Sequence, residues 1–94
     1  MTRLDLDGGK MATIDDFHDQ VARHSQTPNY YGRNLDAFFD VVAQDFEAPI
    51  LVLWRHSEIA KTRLGCQFDK VGEALRDAQT ERKSMGQWFD VIYE

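Results

Sequence analysis

The run Ile50-Leu51-Val52-Leu53-Trp54 contains no charged side chain and no break. It is far shorter than the roughly 20 apolar residues of a membrane helix. It also lacks the apolar–polar alternation of a strand with one wet face. It fits a strand covered on both faces, as in a parallel sheet packed with helices. Pro49 stands just before the run and closes the segment upstream. A chain built around this strand needs further strands beside it and helices to bury them.

The flanking sequence supplies both. Arg3 to Asp7 alternates charge with Leu4 and Leu6, the pattern of a short half-buried strand. Asp7-Gly8-Gly9 then breaks it. Thr13 followed by Asp16 reads as a helix N-cap with a partial capping box, Asp standing where Glu or Gln is usual. Ile14, Phe17 and Val21 recur at helical spacing and predict a helix over 14–24. Residues 25–29 form a loop. Asn34 is the expected N-cap of a second helix, with Leu35, Phe38, Phe39, Val42 and Phe46 on one stripe. A short helix is expected over 57–63. Phe68, Val71, Ala74, Leu75 and Ala78 mark a longer one that ends near Lys83. Gly86 punctuates, and residues 88–93 form a last strand. The expected order is β-α-α-β-α-α-β. Helical crossovers between strands favour a parallel sheet. The fold class is therefore α/β: a small three-stranded parallel sheet with helices packed on it.

Ninety-four residues suit one domain, 1–94, with a modest core. The apolar share of 43% argues against disorder. No stretch has the length and apolarity of a membrane span. Met1 to Asp7 carries charges where a signal peptide carries an apolar run, so the expected location is the cytosol. The lone Cys66 agrees with a reducing compartment. The formal net charge is −5. Residues 1–54 hold nine acids and four bases, whereas residues 55–83 hold five acids and seven bases. Nucleic-acid binding calls for the opposite sign, so a basic partner is expected.

Within the acidic half lies Pro28-Asn29-Tyr30-Tyr31-Gly32-Arg33-Asn34-Leu35-Asp36-Ala37-Phe38-Phe39-Asp40. Asp36 and Asp40 are four apart, one helical turn from each other, and point away from the apolar stripe. No base occurs between Asn34 and Ala48. Such a pair reads either as a solvated helix face or as a mimic of two phosphates offered to a cationic pocket. Tyrosines supply rigid apolar area with a polar tip, as binding hot spots require. Tyr31 is expected to plug the core and Tyr30 to stay outside. Gly32 makes the turn or lets a partner's backbone approach. Phe39 lies at the edge of the core stripe, beside the acids. Trp54 and Trp88 are assigned to the core. Lys61, Arg63, Lys70, Arg76, Arg82 and Lys83 read as solvated helix faces. His18, His24 and His56 show no metal-ligand spacing, Cys66 lacks a Cys-x-x-Cys partner, and there is no phosphate-binding glycine loop. No enzyme chemistry, metal or cofactor is expected.

The string Tyr30-Tyr31-Gly32-x-Asn34-Leu35-Asp36-Ala37-x-x-Asp40 resembles the signature of the barstar family, the intracellular ribonuclease inhibitors. Looser similarity extends over essentially the whole chain. The resemblance implies a protein that lays its loop and second helix across a ribonuclease active site. It implies partner-binding roles for Tyr30, Gly32, Asn34, Asp36, Phe39 and Asp40, with Asp40 in the phosphate subsite. Phe39 replaces the usual tryptophan. Asp69, at the start of the long helix, matches a further acidic contact. The partner would be a basic ribonuclease, barnase-like or toxin-type, bound 1:1 by an inhibitor that is monomeric when free and acts as an antitoxin or immunity protein. Arg33 puts a base where the family's namesake has an acid, and Asp45 and Ala48 replace aromatics. From charge alone, Arg33→Glu is expected to improve binding to barnase-like enzymes. Two alternatives remain open: a module of the same fold with a non-ribonuclease partner, and an enzyme acting through Asp36 and Asp40.

Overall fold

A computed structural model describes residues 1–94. Three strands, β1 (Thr2–Asp7), β2 (Ile50–Arg55) and β3 (Phe89–Tyr93), form one parallel sheet in the order β1-β2-β3. Helices α1 (Ile14–Ala22) and α2 (Leu35–Asp40) lie in the first crossover, α3 (Ser57–Leu64) and α4 (Cys66–Ser84) in the second. This is the α/β architecture expected from the sequence, with each predicted element in place.

The apolar run is the central strand, and register decides what it meets. Ile50, Val52 and Trp54 align with Thr2, Leu4 and Leu6 on one side and with Phe89, Val91 and Tyr93 on the other. This face carries the core, where Leu4, Leu6, Ile50, Val52, Trp54 and Phe89 pack with Phe17, Val21, Phe38, Val42, Val71 and Leu75 from the helices. Phe17 stacks on Trp54 with centroids 5.6 Å apart and meets Phe38 edge-on at 5.0 Å. Such aromatic pairs add about 0.5–1.5 kcal/mol beyond area burial.

The opposite face corrects the expectation of a strand covered by helices on both sides. It carries Arg3, Asp5, Leu51, Leu53, Asp90 and Ile92 in alternation with the core residues. Arg3, Asp5 and Ile92 remain well exposed there. Leu53 is only 9% exposed because the flanking strands shield a central strand even without a second helical layer. Trp88 is corrected for the same reason. It directly precedes the core-facing Phe89, falls outside the strand and is 55% exposed.

Both sheet edges are capped by side chains. On β1, Gln20 Oε1 accepts from Asp7 N–H while Gln20 Nε2 donates to the Asp7 carbonyl, and a ring nitrogen of His24 meets the Arg3 carbonyl. On β3, Gln79 Nε2 donates to the Phe89 carbonyl. Edges managed in this way offer fewer free groups to another strand. A turn of 3₁₀ helix at Gly8–Lys10 packs on the start of α3, where a Cβ on Gly8 would lie 2.2 Å from the His56 carbonyl oxygen. Only glycine tolerates that approach.

The second helix departs from the expected single stripe. After Asp40 it widens into a π-helical turn over Val41–Asp45, and Phe46 N–H bonds the Val41 carbonyl at 2.9 Å. An α-helical turn would have taken the Val42 carbonyl instead. The freed Val42 carbonyl accepts from Arg82 Nε at 3.2 Å, and Arg82 Nη2 donates to the Phe46 carbonyl at 2.6 Å. Gln87 Oε1 accepts from Nη1 at 2.8 Å. Arg82 is thus 4% exposed, not part of a solvated helix face. Burial lowers its pKa, opposed by the nearby charge of Asp45. The carbonyl ends of the second helix take the place of a carboxylate partner.

Arg82→Met should therefore leave two buried carbonyls without a donor and lower unfolding stability by about 2–5 kcal/mol. Urea denaturation of the two proteins measures this, and a loss below about 0.5 kcal/mol would mean that water replaces the guanidinium.

Candidate functional site

The loop from Tyr30 to Asn34 is shaped from both ends. Tyr31 N–H bonds the Pro28 carbonyl at 3.1 Å, closing a turn. The Tyr31 ring turns inward, and its hydroxyl lies 2.6 Å from His18 Nδ1 on α1. Burial raises the pKa of this phenol. His18 is 3% exposed, and its pKa is lowered by burial first and by the Arg33 charge second, against the opposing charges of Asp15 and Asp19. Tyr31 inside and Tyr30 outside is the division expected from the sequence, and Tyr30 is 85% exposed.

At the far end, Asn34 Oδ1 accepts from Ala37 N–H at 2.8 Å and starts α2. A cap of this kind is worth about 1 kcal/mol. Gly32 lies close in, since a Cβ there would be 3.3 Å from that of Ala37. Asp36 and Asp40 follow on the exposed side of α2, whereas Phe38 is fully buried and Phe39 half-buried against the core. The ion pairs of the protein are Arg3–Asp5, Arg33–Asp19 and Arg55–Glu94. Asp36 and Asp40 take part in none of them. Their charges are therefore free for a partner.

The site is wider than the window. Between α2 and α4 runs a groove of about 330 Å³ lined by Leu35, Asp36, Phe39, Lys70, Glu73, Ala74 and Asp77. Its floor is apolar and its rim carries Asp36, Glu73 and Asp77 against the single base Lys70. Sequence reasoning missed Glu73 and Asp77. Their signal was the spacing 70, 73, 74 and 77, one face of a helix. Asp69 is placed differently. It lines a separate cavity of about 540 Å³ between α4 and β3, with Phe68, Gly72 and Tyr93. The structure brings Tyr30, Gly32, Asn34, Asp36, Phe39 and Asp40 onto one loop and helix, and places Asp69 one helical turn before Glu73, which lines both cavities. No group of His, Cys, Asp and Glu side chains is arranged to hold a metal ion. No helix is long and apolar enough to cross a membrane.

A family model described as "Barstar (barnase inhibitor)" matches residues 1–94. The chain belongs to the barstar family. Among curated proteins, the barstar-family chain is 34% identical over 94 residues to "Putative ribonuclease inhibitor YrdF" of Bacillus subtilis (strain 168), an alignment that spans 100% of both. The resemblance drawn from the Tyr-Tyr-Gly window is thereby established at the level of the family. In this barstar relative, the segment that carries the resemblance presents two exposed acids, Asp36 and Asp40, that take part in no ion pair.

The buried His18–Tyr31 pair predicts a pH dependence. A histidine whose pKa is lowered by folding stabilises the fold fully above its ordinary value of 6.5, and that contribution is lost as pH falls below it. The urea midpoint should fall between pH 7 and pH 5, and His18→Gln should flatten that slope. An unchanged slope in His18→Gln would assign the acid sensitivity to other groups.

Proposed function

We propose that the protein inhibits a ribonuclease by covering its active site with the Tyr30–Asn34 loop and α2. Membership of the barstar family and the ribonuclease-inhibitor description of the Bacillus subtilis relative support an inhibitory role. The observation that carries the mechanism is the free state of Asp36 and Asp40: exposed, unpaired and one turn apart on a helix fixed by Asn34 at its start and by Arg82 just beyond its end. A nuclease groove that binds a polyanion presents cations at phosphate spacing. Asp40 would occupy a phosphate position there, and Asp36, Glu73 and Asp77 would surround it with negative potential. Tyr30 would supply the apolar anchor, and Gly32 would permit close backbone approach. Phe39 and Asn34 would contribute packing and shape. Asp69, one helical turn before Glu73, would extend the same acidic surround along α4.

The partner class is a basic ribonuclease, barnase-like or toxin-type, engaged 1:1 by a monomeric inhibitor in the cytosol as an antidote. No cofactor and no direct nucleic-acid contact enter the mechanism. Inhibition follows from steric occlusion, and charge complementarity sets the speed of encounter.

Titration against purified guanyl-specific and toxin-type ribonucleases, read by RNA cleavage and complex formation, tests this directly. One-to-one loss of cleavage is expected with at least one enzyme, and none across the panel would point to a non-ribonuclease partner. With the responding enzyme, Asp40→Ala should weaken binding by about 2–5 kcal/mol, as when one member of a desolvated charge pair is removed. A loss under about 0.5 kcal/mol would mark Asp40 as a solvated acid. Association should also slow steeply with added salt; a rate independent of salt would remove the steering role.

A further inference from the structure

Two side chains fasten the Tyr30–Asn34 loop to α1. One is Tyr31, through His18. The other is Arg33, whose Nη2 donates to an Asp19 carboxylate oxygen and, at 3.3 Å, to the Asp15 carbonyl. The backbone at Arg33 has φ +55°, a region that residues with a Cβ rarely adopt. Such a conformation persists when surrounding contacts over-determine it. Here Arg33 sits between Gly32 and Asn34, the residue that caps α2. The strained position, the two contacts to α1 and the start of the acidic helix therefore coincide within three residues.

We propose that Arg33 is a positioning and specificity-determining residue: its guanidinium latches the loop to α1 and holds Tyr30 and the start of α2 in the geometry offered to the partner. This rests on the proposed inhibitory role of that face. Its charge is paired with Asp19 on α1 at the surface, where both side chains keep nearly half of their exposure, so it opposes a cationic groove less than an unpaired base would. The pairing with Asp19 also reverses the expectation from charge alone. A glutamate at 33 would lose both donors, stand against the Asp19 carboxylate and keep the left-handed backbone. It would make the surface more acidic and yet release the loop. A loop that samples the competent geometry only part of the time binds more weakly in proportion to that fraction.

The test uses the full chain with four variants: Arg33→Glu, Arg33→Gly, Asp19→Arg, and the swap that combines Arg33→Glu with Asp19→Arg. Hydrogen exchange at the Tyr31 and Ala37 amides, both hydrogen-bonded in the loop and cap, reports the latch without any partner. Binding to barnase, or to the responding enzyme of the panel, reports recognition, and the urea midpoint reports global stability. Arg33→Glu and Arg33→Gly should each speed exchange at these two amides at least about tenfold and weaken binding by a similar factor. Arg33→Gly relieves the backbone and should leave the urea midpoint unchanged or raised, which separates loop release from unfolding. The swap should restore exchange and binding to within about threefold of the parent. Unchanged exchange in both Arg33 variants, tighter binding by Arg33→Glu, or a swap no better than the single variants would overturn the latch. If exchange responds as expected while the parent inhibits no ribonuclease, the latch stands and the inhibitory reading is the part that fails.

Discussion

The buried guanidinium of Arg82 joins the two halves of the molecule. It binds the Val42 and Phe46 carbonyls at the end of the second helical segment from a position on α4. An α-helix leaves its last carbonyls without partners, and a helix as short as α2 has little cooperative strength of its own. The π-turn adds one more free carbonyl, and Arg82 takes it. A buried cation without a carboxylate is normally costly, but two helix-end carbonyls and the Gln87 amide oxygen offset that cost here. The result is a short acidic helix tied to the longest helix of the protein, with its outer face left in water.

That arrangement separates two duties along α2. Phe38 and Leu35 hold the helix to the core, with Phe39 at the margin. Asp36 and Asp40 hold nothing, since no base of this chain pairs with them. Like charges one turn apart are slightly destabilising in an isolated helix. Retaining them unpaired on a surface braced by Asn34, Arg82 and the His18–Tyr31 contact is consistent with a face whose partner lies outside the chain. The one base in the window, Arg33, pairs with Asp19 on α1 and with neither acid of α2.

Much of this was legible because local rules and the fold agreed. The central apolar run, the Asn34 cap and the inward Tyr31 each followed from residue type and spacing. What escaped had identifiable causes. Arg82 extends the stripe Val71, Leu75, Ala78 by one more helical step, so its burial was readable as periodicity but was masked by its charge. Trp88 was assigned by its apolarity, although the alternation set by Phe89 puts it on the other face. Glu73 and Asp77 join the site only because α4 packs beside α2, and no spacing within the Tyr-Tyr-Gly window points to them. The coverage of Leu51 and Leu53 was misattributed to helices, since a central strand is apolar on its outer face for a different reason.

The sequence by itself determined the element order, the parallel α/β class, the acidic character of the window and the family to which the chain is related. These depend on patterns within a few residues of one another, or on a signature that is contiguous in the chain. Only the tertiary structure decided which face of the sheet holds the core, that Arg82 closes the end of the second helix, that α4 contributes acids to the groove, and that Arg33 pairs with Asp19 on α1. Each of these joins residues far apart in the chain, as Arg82 and Val42 are, 40 positions apart. The physical reason is that burial and pairing are properties of the packed neighbourhood, and a charged residue carries the same letter whether it meets water, a carboxylate or a row of carbonyls.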